Sequence, residues 1–202
     1  MVEVEAILLA AGLSRRMGPA NKLLLDCSGM PMIRKVAQTY LDAIGPNVIV
    51  VTGFEAPLVR AALSGLPLRF CHNPAFESGQ YTSVAQGLAA SRDAALTLIG
   101  LGDQPLLAAD DLTALIAAHR AADPAKISIP VNGESRGNPI IIPQALRARL
   151  LQDRARPGCR RFIQQHPHLV QNLTLTSRGF YADIDTPEAY AQHKGTADEV
   201  IH

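Results

Sequence analysis

Ala6-Ile7-Leu8-Leu9-Ala10-Ala11-Gly12-Leu13-Ser14-Arg15-Arg16-Met17-Gly18, followed shortly by Asn21-Lys22, is the stretch on which the reading of the fold turns. Residues 6–10 are apolar throughout, with no alternation, as expected for a strand covered on both faces. The run then breaks into glycines and cations, where a strand would leave its sheet. Further short apolar runs lie at residues 47–52, 67–70 and 96–101. Between them, residues 32–43, 56–63, 83–90 and 111–121 carry helical apolar spacing, and each is long enough to cross between parallel strands. Strand and helix alternating in this way predict βαβ units and an open α/β fold with a mostly parallel sheet, whose strand C-terminal ends face the site. After Asp123-Pro124 the strands shorten to 127–131 and 138–142. They are separated by Asn132-Gly133-Glu134-Ser135, a turn composition, and this half is expected to shape an acceptor pocket.

The bulk composition narrows the function classes. The chain has 202 residues, 48% hydrophobic and 18% charged, which suits a single globular unit over 1–202 and neither a disordered nor a membrane protein. Lys+Arg 19 against Asp+Glu 18 leaves a net charge of +1, too little basic excess for a protein that tracks a nucleic-acid backbone. Three dispersed cysteines, Cys27, Cys71 and Cys159, suggest neither a disulfide framework nor a zinc site. With no basic leader at Met1–Glu5, a cytoplasmic location is expected.

The first loop converges small residues and cations. A triphosphate needs backbone N–H groups that can approach closely, which Gly12 and Gly18 permit, and fixed positive charge of the kind Arg15 or Lys22 supplies. The loop is neither G-x-G-x-x-G nor G-x-x-x-x-G-K-[ST], because five residues separate its glycines. The plain alternative is a strand-to-helix turn with a solvated arginine pair.

Leu98-Ile99-Gly100-Leu101-Gly102-Asp103-Gln104-Pro105 ends a buried strand on a single acid. Magnesium takes one or two carboxylates and completes its shell with phosphate oxygens and water, so Asp103 is the expected ligand, the plain alternative being an acid that turns the chain or caps the following segment. Asp110-Asp111 read as acids at a helix start. Asp183-Ile184-Asp185-Thr186-Pro187-Glu188 sets two carboxylates on one face of an extended segment, either of which completes the metal site. The competing reading makes Asp185 or Thr186 the cap of a helix begun by Pro187.

The polar loop Glu77-Ser78-Gly79-Gln80-Tyr81-Thr82-Ser83, after Asn73-Pro74, is a candidate base reader. With no Trp and 4% aromatics, backbone and amide hydrogen bonds are expected to outweigh stacking there. Its plain alternative is a helix cap by Ser83. Arg136-Gly137-Asn138-Pro139 presents an Arg or an amide to an acceptor, or is a hairpin turn. His72, His119, His166, His168, His193 and His202 lack metal-ligand spacing and read as surface histidines. Cys159, beside Arg160-Arg161, has no neighbouring base and receives no catalytic role.

Taken together, the segments 9–18, Lys22-Leu23-Leu24, Asn73-Pro74 with Gly79 and Ser83, Gly102-Asp103-Gln104-Pro105 and 183–188 resemble the MobA-like nucleotidyltransferases, and within them the molybdenum cofactor cytidylyltransferases. The resemblance covers most of the chain. It implies a Rossmann-like three-layer α/β/α fold, CTP with magnesium (Mg2+), and CMP transfer to molybdopterin, giving molybdopterin cytosine dinucleotide and pyrophosphate. Carried over by position, Lys22 and Arg16 hold phosphates, and Leu9, Ala10, Ala11, Gly12, Ser14, Arg15, Gly79 and Ser83 bind nucleotide. Asp103 holds the metal, assisted by Asp183 or Asp185. The resemblance also suggests delivery to a molybdenum hydroxylase or its maturation chaperone. Two positions depart from the family pattern, Asn138 where it usually shows His and Cys159 where a small residue is common, and both bear on the acceptor. Asn21 stands where relatives acting on sugar phosphates or methylerythritol phosphate commonly place proline. Those acceptors are the nearest alternatives, and a non-catalytic nucleotide-binding regulator is the alternative of a different class.

Overall fold

A computed structural model describes residues 2–18, 20–152 and 159–198. In chain order its elements are β1 Val2–Ala10, α1 Met32–Ile44, β2 Val48–Thr52, α2 Ala56–Ala62, β3 Arg69–His72, α3 Gln80–Ala90, β4 Ala94–Leu101 and α4 Ala109–Ala121. The second half adds β5 Ile127–Asn132, β6 Ser135–Arg136, β7 Ile140–Pro143, α5 Gln144–Leu151, α6 Cys159–Gln165, β8 Val170–Thr174 and α7 Pro187–Asp198. The strands form one sheet in the order β3-β2-β1-β4-β7-β5-β6, with β8 paired to β5. β1, β2, β3 and β4 pair in parallel, as do β5 and β8. β7 runs against both β4 and β5, so β5 points the same way as β1 to β4.

Alternation along β1 divides the core. Ala6, Leu8 and Ala10 pack with Ile33, Val36 and Tyr40 of α1, Val59 of α2 and Leu112 and Leu115 of α4. Ile7 and Leu9 face Val84 and Leu88 of α3, Leu146 and Leu150 of α5, and Cys159 and Phe162 of α6. Helices therefore cover both faces of the sheet, which is why residues 6–10 of β1 and 98–101 of β4 run apolar without alternation. Burial of Glu5 within β1 is compatible with this because its carboxylate is satisfied. It accepts from Arg69 Nη1 at 3.0 Å, Arg92 N at 3.0 Å and Ser91 Oγ.

Several details differ from the sequence reading. β3 begins at Arg69, beyond Pro67, whose ring nitrogen has no hydrogen to donate to a ladder. α3 begins at Gln80, which places Ser83 inside the helix. β7 is antiparallel, and β8 and α6 carried no recognised signal. His119 and His193 are buried, at 0% and 9% exposure, and are not surface residues. His119 Nδ1 meets Ser128 Oγ at 2.7 Å, while His193 Nε2 meets Cys27 Sγ at 2.9 Å. Of the other residues named above, Met1 and His202 lie outside the described residues.

Candidate active site

Strand order reverses at β1. The connections lead from β1 outward to β2 and β3, and the chain then returns to place β4 on the other side of β1. Loops leaving two adjacent parallel strands toward opposite sides open a crevice between them, the usual ligand position in such sheets. Here the crevice is a cleft of about 560 Å³ lined by Leu9, Ala11–Arg16, Lys22, Leu23, Phe76, Glu77, Gly79, Gln80, Ser83, Leu101, Asp103, Asp183 and Asp185. The end of β4 is tied to β1 by Gly102 N donating to Leu9 O at 3.0 Å.

The first loop leaves β1 through Ser14, which adopts the left-handed region at φ 50, ψ 29. Ser14 Oγ accepts from Lys22 N at 3.3 Å, and Asn21 Oδ1 caps the turn Lys22–Leu24 by accepting from Leu23 N at 3.1 Å. These bonds aim Lys22 inward. Its Nζ bridges Asp103 Oδ2 and Asp185 Oδ1, joining residues 81 and 163 positions away. Arg16 Nη1 reaches Asp185 Oδ2 at 2.9 Å from a largely exposed position.

Asp185 arrives by a separate route. Ile184 N donates to Asp103 O at 2.9 Å, and the Ile184 side chain buries against Cys27 and Met32. Alternation then turns Asp183 and Asp185 into the cleft together. Thr186 Oγ1 accepts from Ala189 N at 3.2 Å, so the threonine caps α7 and Asp185 is left for the cations. The Cys27–His193 contact, and Tyr190 Oη donating to Asp26 O at 2.7 Å, dock α7 against the loop before α1.

Burial lowers the Lys22 ammonium pKa, but the charge and hydrogen bonds of Asp103 and Asp185 outweigh burial and hold it above the ordinary lysine value. For Asp103, burial dominates and pushes the carboxyl up, against the pull of Lys22 and with the repulsion of Asp185 and Asp183. Burial acts on Asp185 in the same direction but is overcome by Lys22 and Arg16, so its carboxyl lies below the ordinary range. Asp103 Oδ1 is buried with no hydrogen-bond partner. Such an atom is costly unless a cation or donor faces it. Among the described residues no three His, Cys, Asp or Glu side chains converge at metal-ligand spacing. Magnesium does not require three, since two carboxylates, phosphate oxygens and water suffice, so Asp103 with Asp185 or Asp183 fits it.

The structure thus gathers Leu9, Ala11, Gly12, Ser14, Arg15, Arg16, Lys22, Gly79, Ser83, Asp103, Asp183 and Asp185 around one cleft. Ala10 is the exception, turning into the core between the sheet and α1. Ser83 is buried and accepts from Asn73 Nδ2 at 2.9 Å. Arg136 and Asn138 are not among the lining residues. Instead Gly137 N bonds Pro130 O and Asn138 N bonds Phe180 O, ahead of a cis Asn138–Pro139 peptide. Cys159 is buried in the core with its thiol pushed up to about 12 by burial, in keeping with no catalytic role. Sequence reasoning missed Leu13, Leu23, Phe76 and Leu101 as lining residues, and the signal for Phe76 was an aromatic beside a polar loop.

Residues 6–170 match the family model of the MobA-like NTP transferase domain. The chain belongs to the MobA-like NTP transferase family. Nucleotidyl transfer is the activity class of this domain, and the cleft carries the cations and carboxylates which that chemistry uses. Nicotine blue oxidoreductase of Paenarthrobacter nicotinovorans is 31% identical over 193 residues, covering 92% of this chain and 93% of that protein. A nucleotidyl transferase from Methanothermobacter thermautotroptrophicus superposes with a TM-score of 0.82 at 22% identity, covering 98% of this chain and 99% of the other. A complex of Rv0371c with manganese, from Mycobacterium tuberculosis, superposes with a TM-score of 0.74 at 22% identity, covering 95% and 97%. At these identities the two structural likenesses concern the fold.

Proposed function

We propose that this MobA-like chain transfers CMP from CTP to the terminal phosphate of a molybdopterin-type acceptor in the cytoplasm. An oxygen of the acceptor phosphate forms a bond to the α-phosphorus, the bond from that phosphorus to the β-bridging oxygen breaks, and pyrophosphate leaves. The observation that carries this reading is Lys22 held between Asp103 and Asp185 at the rim of the β1/β4 crevice, facing the Ala11–Arg16 loop. Magnesium, when bound, neutralises phosphate charge and orients the triphosphate for in-line attack. Asp103 and Asp185 or Asp183 are the residues that would hold it, and the manganese complex of Rv0371c supports a divalent metal in this fold.

Arg15, Arg16 and Lys22 meet the charge on the triphosphate and the departing pyrophosphate, while the first loop offers its backbone N–H groups to phosphate oxygens. No general base is needed, because a phosphate monoester is already an anion near neutral pH. The CTP choice rests on Ala11, whose methyl reduces the space beside the nucleotide. A molybdenum hydroxylase or its chaperone is the corresponding recipient of product.

The test offers purified protein each nucleoside triphosphate with molybdopterin, magnesium or manganese, and measures pyrophosphate. CTP-dependent release that requires both acceptor and metal is the expected result. Release with a sugar phosphate or methylerythritol phosphate instead would reassign the acceptor, and binding without turnover would favour a regulator. The likeness to nicotine blue oxidoreductase over nearly the full chain raises a second reading, electron transfer. The same protein incubated with a reduced nicotinamide and a quinonoid dye would then bleach both, with no nucleoside triphosphate present.

A further inference from the structure

Gly53, directly after β2, is tied to the cleft through its neighbours. A Cβ built on it would lie 2.6 Å from Phe76 Cβ, 2.8 Å from Phe76 Cγ and 2.8 Å from Ala11 Cβ. Both of those residues line the cleft, and Phe76 is the sole aromatic side chain that does so among the described residues. Phe54 N donates to Ala11 O at 3.3 Å, which fixes the turn after β2 to the first loop. The loop bearing Phe76 is held as firmly. Buried Asn73 accepts from Ala75 N at 3.0 Å and donates to Thr82 Oγ1 at 2.8 Å and Ser83 Oγ at 2.9 Å, while Thr82 Oγ1 donates to Ala75 O at 3.0 Å.

Phe76 reaches the cleft from the loop after β3 and Asp103 from the end of β4, on the two sides of β1. Entry from two sides of β1 suits a ligand longer than its phosphates, with Lys22 and Asp103 on the β4 side of the cleft and Phe76 on the other.

We propose that Gly53 is a specificity-determining positioning residue: by carrying no side chain it lets Phe76 and Ala11 close on a common point and form an apolar seat for the nucleobase, the Phe76 ring supplying a face for it. This rests on the nucleotidyl-transfer reading and adds to it what sets the width of the base end. A flat ring against an aromatic face is recognised by area and offset stacking, and the fit of the second wall selects its size. Any Cβ at position 53 moves Phe76 or Ala11, because carbons do not approach to 2.6 Å.

The experiment compares wild type, Gly53→Ala, Phe76→Ala and the double variant by calorimetric binding of CTP and GTP and by kcat and KM with both. Gly53→Ala is expected to weaken CTP binding about tenfold and to reduce the CTP-over-GTP preference, with kcat at saturating CTP changed by less than about threefold. Phe76→Ala, a loop variant that leaves the core intact, is expected to act in the same direction. The double variant should be no weaker than the weaker single, since both disturb one contact. Unchanged CTP and GTP affinities in a folded Phe76→Ala protein would overturn the proposal, as would equal weakening of both nucleotides by Gly53→Ala. If wild type binds nucleotide without turning it over, the catalytic reading fails while the affinities still decide the seat. If wild type binds neither nucleotide, both fall.

Discussion

Asp103 Oδ1 is the atom in the cleft with the most to gain from a ligand, being buried, without a hydrogen bond, and on a carboxyl whose pKa burial raises. Asp103→Asn removes the charge that a metal would meet but keeps the shape. The expected result is a fold unchanged by circular dichroism and a kcat lowered about 10²-fold or more. A kcat within about threefold of wild type would take Asp103 out of the reaction. Lys22→Ala leaves Asp103 and Asp185 facing each other without their shared cation, so turnover should fall by a similar factor and the KM for nucleotide should rise. Ala11→Gly bears on base choice. One methyl against a ring accounts for about 1 to 3 kcal/mol, so the CTP-over-GTP ratio of kcat/KM should shrink without inverting. A wild-type preference for GTP would end the cytidylyl assignment and leave nucleotidyl transfer standing. These side chains were legible from the sequence because glycine-rich loops and single rim acids stand out beside apolar strands. Phe76 was not, since one aromatic in a polar loop looks the same whether it faces a cleft or solvent.

At the scale of elements, α3 approaches β1 and β2 without a spacer. A Cβ on Gly87 would come within 2.3 Å of Ile7 Cγ2 and 3.1 Å of Val51 Cγ2, so the helix lies on the sheet with no spacer. Gly87→Ala should therefore destabilise by about 1 to 3 kcal/mol although alanine is the better helix former, because strain at the sheet exceeds the gain in propensity. Thermal unfolding would decide it, and a melting temperature at or above wild type would mean that α3 can lift away freely. The alternating elements of the first half were readable because each parallel strand buried on both faces is a continuous apolar run and each crossover helix keeps one apolar stripe. β8 was unreadable for the opposite reason. Val170-Gln171-Asn172-Leu173-Thr174 is only partly covered, its polar residues satisfy the pattern of a loop as well as that of a strand, and it becomes a strand by pairing with β5.

The whole molecule carries a pH signature from a group far from the cleft. His119 lies on the buried face of α4, and burial, with the nearby Arg120, holds its pKa below the ordinary histidine value. The folded chain then binds fewer protons than the unfolded chain between that lowered value and about 6.5, so stability is full above this window and is lost as pH falls through it. His119→Gln should flatten the fall in melting temperature between pH 7 and 5, measured in one buffer series. An unchanged slope would assign the acid sensitivity elsewhere. The lowered carboxyl of Asp185 contributes separately, in a range below the ordinary aspartate value, and is lost only at more acid pH. By itself, the sequence determined the α/β class, the strands and helices of the first half and the residue types of the candidate site, because local periodicity and composition record how much of each segment must be covered. Only the tertiary structure decided that β7 lies reversed between β4 and β5, that His119 and His193 are interior, and that Lys22 meets carboxylates 81 and 163 residues away. Those outcomes depend on which surfaces remain uncovered once the other elements have packed, a quantity no local window of sequence contains.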